Sequence, residues 1–60
     1  MVSSLEQRVR ELDDESRTVV ETARELSKQL GAKENTVQVY LQAKRRGFDS
    51  WRAYLKSRAV

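Results

Sequence analysis

Apolar residues recur at Leu5, Val9 and Leu12, then at Val19, Val20, Ala23, Leu26 and Leu30, then at Val37, Tyr40 and Leu41, and last at Trp51, Tyr54 and Leu55. Steps of three and four place each group on one helical face, so the pattern predicts helices over about 3–13, 16–30, 34–46 and 50–58. Polar residues punctuate it. Ser3-x-x-Glu6 has the form of a capping box. Asp13-Asp14-Glu15-Ser16 is suited to end the first helix and cap the second, because carboxylates and hydroxyls satisfy free amides at a helix start. Gly31 and Gly47 fall where periodicity breaks and can adopt the left-handed conformation that closes a helix. Asn35 is available to cap the third helix, and Asp49 or Ser50 the fourth. The expected fold class is all-α, a bundle of three to four helices in a single domain over 1–60. Phe48, Trp51, Tyr54 and Leu55 are expected to close its core, with 1–15 as a dimerisation or accessory helix.

A rival register competes with the break at 13–16. Positions 5, 9, 12, 16, 19, 23, 26 and 30 step by four and three, and hold Leu, Val, Leu, Ser, Val, Ala, Leu and Leu. One long helix with a heptad seam, paired with another helix, satisfies that spacing. Two helices are favoured, because Ser16 and Ala23 are weak seam residues.

The run from Glu25 to Leu41 places Leu26 and Leu30 before Gly31, and Val37, Tyr40 and Leu41 after a three-residue turn. This segment resembles the helix-turn-helix family of DNA-binding proteins, whose motif reads roughly Glu-Leu-Ala-x-x-Leu-Gly-Val-Ser-x-x-Thr-Val-x-x-Tyr-Leu. Ser27, Ala32 and Lys33 depart from it, and all three fit its geometry. The resemblance implies a helix-turn-helix bundle that reads double-stranded DNA with helix 34–46, as a small transcriptional regulator.

Composition narrows the field. Sixty residues bury too little surface for a large core, and the chain has no Cys or His to supply a disulfide or a metal cluster. Helix packing or association with a second copy must hold it together. No metal or cofactor is expected, no membrane span or signal peptide is visible, and the chain reads as soluble and cytoplasmic. Through residue 30, five cations face seven carboxylates, a net of −2; from residue 31, seven cations face two carboxylates, a net of +5. The positive half also holds the candidate recognition helix, which favours a polyanionic partner. An enzyme with a small-molecule substrate is not expected, since Asp13, Asp14 and Glu15 are sequence neighbours and cannot converge across a cleft.

If helix 34–46 docks as the resemblance implies, the base-reading candidates are Glu34, Asn35, Gln38, Val39 and Gln42. Amides pair a donor and an acceptor as the adenine edge requires, Val39 suits a thymine methyl, and Glu34 can accept from cytosine. Candidates for phosphate are Lys28, Lys33, Thr36, Lys44, Arg45, Arg46 and Arg52. One subunit reads few base pairs, so a homodimer is expected, with Leu5, Val9 and Leu12 as its surface. The alternative is a helical protein-interaction module using the 5–30 seam.

Overall fold

The computed structural model describes residues 4–58, with the side chain of Ser4 excepted. Four helices follow one another: α1 (Ser4–Leu12), α2 (Val19–Leu30), α3 (Glu34–Arg45) and α4 (Trp51–Arg58). No strand occurs among the described residues. The expected cap by Ser3 lies outside them.

Residues 13–18 separate α1 from α2, so the 5–30 segment is two helices and not one seam-bearing rod. The seam turns inward instead. Val9, Ala23 and Leu26 join Val37 and Leu41 in the core, and Leu5, Val19, Leu30, Ala32 and Tyr40 pack around it. Helix α3 is central, packing against each of the other three, while α2 and α4 do not pack on each other.

The start of α2 corrects the expected cap. Thr18, not the acidic run, closes it: its hydroxyl accepts from Glu21 N–H at 3.1 Å, and the Glu21 carboxylate accepts from Thr18 N–H at 3.1 Å. Ser16 instead turns back on Asp14, with its N–H 3.0 Å and its Oγ 2.5 Å from Oδ1. With the helix starting at Val19, the inner face runs through Val19, Ala23, Leu26 and Leu30. Val20 then points about 100° away, and it is exposed rather than buried as expected.

Both glycines end their helices by the same device. Gly31 (φ 65°) lets Ala32 N–H reach Ser27 O at 3.1 Å. Gly47 (φ 86°) lets Phe48 N–H reach Ala43 O at 2.9 Å. These six-to-one bonds tie the chain after each glycine back to the last turn of its helix, Ser27 O accepting from both Gly31 N–H and Ala32 N–H. Lys33 occupies the position before α3 without a side-chain cap, and Asn35 sits inside the first turn, exposed, where it caps nothing.

Helix α4 is fastened by side chains from α1. Ser50 Oγ accepts from Ala53 N–H, and the buried Glu6 carboxylate accepts from Trp51 N–H at 2.8 Å. Arg10 Nη2 donates to Phe48 O at 2.8 Å, holding the α3–α4 turn. The aromatics pack as two tilted pairs, Tyr40 with Trp51 and Phe48 with Tyr54. Tyr54 is buried, but Leu55 is exposed and closes no core.

Candidate nucleic-acid interface

Asn35, Gln38, Val39, Gln42 and Arg46 follow one another at helical spacing, so α3 and its C-cap bring them onto one strip. Asn35 and Arg46 are exposed, and Gln38, Val39 and Gln42 are half-buried. Glu34, at the edge of the strip, has its Oε1 3.9 Å from Arg24 Nε and 3.5 Å from the Gln38 amide nitrogen. Gln42 is less free than its spacing implies, because its Oε1 accepts from Tyr54 Oη at 2.6 Å. Val39 lines a shallow hollow of about 210 Å³ with Thr36, Tyr40, Trp51 and Leu55, between α3 and α4.

The candidate phosphate ligands divide into two groups. Lys28, Lys33, Arg46 and Arg52 are exposed and form no ion pair with another described residue. Arg46 lies over the Tyr54 ring at 5.5 Å and Arg52 over the Trp51 ring at 5.6 Å, contacts that set the direction of each guanidinium without neutralising it. Thr36 is half-buried at the rim of the hollow.

Lys44 and Arg45 must be removed from that group, because Asp13 holds both. The Asp13 carboxylate is fully buried, with Lys44 Nζ at 3.0 Å and Arg45 Nη2 at 2.8 Å. Arg45 also donates to Asp14 O at 2.8 Å, Arg17 O at 2.7 Å and Thr22 Oγ1 at 3.3 Å. One guanidinium thus gathers the α1–α2 turn onto the last turn of α3. Burial pushes the Asp13 carboxyl up, but hydrogen bonds from Arg45 and Lys44, together with their charges, hold it below its ordinary value of 3.8. Contact with Asp13 likewise raises the Arg45 pKa, against a smaller opposing effect of burial.

The expected dimer surface also needs correction. Val9 is fully buried in the core, and Leu5 packs against it half-buried. Only Leu12 of the three is exposed, at 45%.

Sequence reasoning missed Glu6, Arg10, Asp13 and Thr18 in the roles they fill. Thr18-x-x-Glu21 carries the same capping-box signature as Ser3-x-x-Glu6 and was legible by that rule. The Glu6–Trp51, Arg10–Phe48 and Asp13–Arg45 contacts span 45, 38 and 32 residues, and no local pattern marks them.

No family model matches the chain, nor does any curated protein or solved structure. The reading of the site therefore rests on its own geometry. Among the described residues no helix is long and apolar enough to cross a membrane, and no His, Cys, Asp and Glu cluster is arranged to hold a metal ion.

Proposed function

We propose that this protein binds double-stranded DNA by laying the outer strip of α3 in the major groove, and that it acts as a small transcriptional regulator in the cytoplasm. One observation carries the reading: the helix that carries Asn35, Gln38, Val39 and Gln42 has an exposed cation at each end, Lys33 at its N-cap and Arg46 at its C-cap, and these, like Lys28 on α2 and Arg52 on α4, have no ion-pair partner among the described residues. An amide aligned with the adenine N6 and N7 edge exchanges two hydrogen bonds with it, and Val39 offers an apolar surface to a thymine methyl. These cations contact phosphate, which sets the register of α3 without reading sequence. A second copy supplies the affinity one such helix lacks.

The test is fluorescence anisotropy of labelled duplexes over a range of salt. Four phosphate contacts per subunit should give a log–log salt slope of about −3.6 per subunit bound. Replacing Asn35 and Gln38 by Ala should erase preference between duplexes while leaving the helical spectrum intact. Those two are better probes than Gln42, whose loss also strands the Tyr54 hydroxyl. Absence of binding to every duplex at low salt overturns the proposal.

A further inference from the structure

Helix α4 reaches the outer strip of α3 through one hydroxyl. Tyr54 is buried, 3% exposed, and its ring is held by several neighbours: Phe48 lies tilted against it at 5.6 Å, and the Arg46 and Arg58 guanidiniums each lie 5.5 Å from its centroid. Its backbone N–H donates to Ser50 O at 3.2 Å, which fixes its place at the start of α4. From that held ring, Oη donates to Gln42 Oε1 at 2.6 Å. A separation of 2.6 Å is ordinary for O–H···O and short for N–H···O, so the amide turns its oxygen, not its nitrogen, to the phenol.

The two ends of the Gln42 amide therefore differ in what they can offer. Oε1 is turned toward a buried residue of α4 and already accepts a hydrogen bond. Nε2 has no hydrogen-bond partner among the described residues, and it is not buried either, because Arg10 Nε is the buried unpartnered side-chain polar atom among them. Gln42 thus presents donors and withholds its acceptor. The two-point contact with adenine needs both, an acceptor for the N6 amino group beside a donor for N7. Guanine offers N7 and O6 and thymine offers O4, all of them acceptors.

We infer that Tyr54 is a positioning residue for base reading: by holding Gln42 Oε1, it sets that side chain to read guanine or thymine and to reject adenine. The inference rests on the proposed major-groove reading and adds to it the class of base edge that one side chain accepts. It leaves the adenine-reading role to the amides of Asn35 and Gln38.

The test uses Tyr54→Phe, which removes the hydroxyl and keeps the ring, so the contacts of Phe48, Arg46 and Arg58 and the helical spectrum should persist. In protein without DNA, the Gln42 side-chain amide signal should move in the heteronuclear NMR spectrum of Y54F; an unmoved signal shows that the bond is absent and overturns the inference. A preferred duplex is then selected from a randomised pool, and the base pair that Gln42 reads is the one whose preference Q42A abolishes. Duplexes differing at that pair alone are titrated by fluorescence anisotropy. Wild type should favour guanine or thymine over adenine in the contacted strand by roughly tenfold. Y54F, with its amide free to turn, should lose most of that ratio at an unchanged salt slope, since no phosphate contact is altered. A wild type that favours adenine there, a Q42A that changes no preference, or a Y54F ranking identical to wild type overturns the inference and leaves the DNA reading standing. Uniform weakening of Y54F on every duplex assigns the hydroxyl to packing alone and overturns it too. Failure of the wild type to bind any duplex at low salt overturns the DNA reading itself, and this inference with it.

Discussion

The inner flank of α3 and its outer strip carry the same kinds of side chain and use them in opposite ways. Lys44 and Arg45 turn inward onto Asp13, where their charges are cancelled and their hydrogen bonds hold the α1–α2 turn. Arg46 is the next residue, yet it faces solvent beside Tyr54 and keeps its charge available. Lys33, at the other end of the helix, is likewise exposed. Net charge therefore overstates the binding surface. Of three consecutive cations, two are part of the architecture.

The largest expected effect breaks the inner flank. Asp13→Ala leaves two partly covered cations without their acceptor, and urea denaturation should show a loss of about 3 kcal/mol, a large share of what a small domain has. A loss below about 0.5 kcal/mol would mean that the cluster behaves as a screened surface pair. The same group sets a pH dependence. Its folded pKa lies below 3.8, so the stability it contributes is complete above that range and is lost as pH falls through the lowered folded value. Asp14, held down by Ser16, and Glu21, held down by Thr18, act in the same direction. The gap between wild type and Asp13→Ala should therefore narrow only as pH falls below 3.8 toward the lowered folded value, and equal spacing at every pH would contradict the account.

A smaller effect is expected where α1 fastens α4. Glu6→Ala removes the acceptor for Trp51 N–H, and a cost of about 1 kcal/mol follows from losing a charge-assisted bond to that partly buried donor. Trp51 is the only tryptophan in the chain, so its emission reports directly on the loosening. A red shift at low denaturant, before the helical signal falls, is the expected result. Simultaneous loss of both would show that α4 does not open separately.

The outer strip should barely register in stability. Lys33→Ala and Arg46→Ala are each expected to change unfolding by less than about 0.5 kcal/mol. Under the DNA proposal each should also reduce the steepness of the salt slope by about 0.9, while Lys44→Ala leaves it unchanged. A Lys44 effect on the slope equal to that of Lys33 would erase the distinction between the two flanks.

Much of this was legible in the chain itself. Helix positions follow from the three-and-four spacing of Leu, Val and aromatic residues, and two helix ends follow from Gly31 and Gly47, because periodicity and left-handed backbone are local properties. The inward positions of Val37 and Leu41, and the outward one of Asn35, come from the same spacing.

Only the tertiary structure decided which equivalent residues were spent. Val9 and Leu12 have the same helical phase, but α3 covers the first and leaves the second at the end of α1. Arg45 and Arg46 are indistinguishable by type, and Asp13, 32 positions away from Arg45, separates them. The physical reason is that hydrophobic spacing selects a face, while charge neutralisation and burial depend on partners that only chain folding brings within a few ångströms.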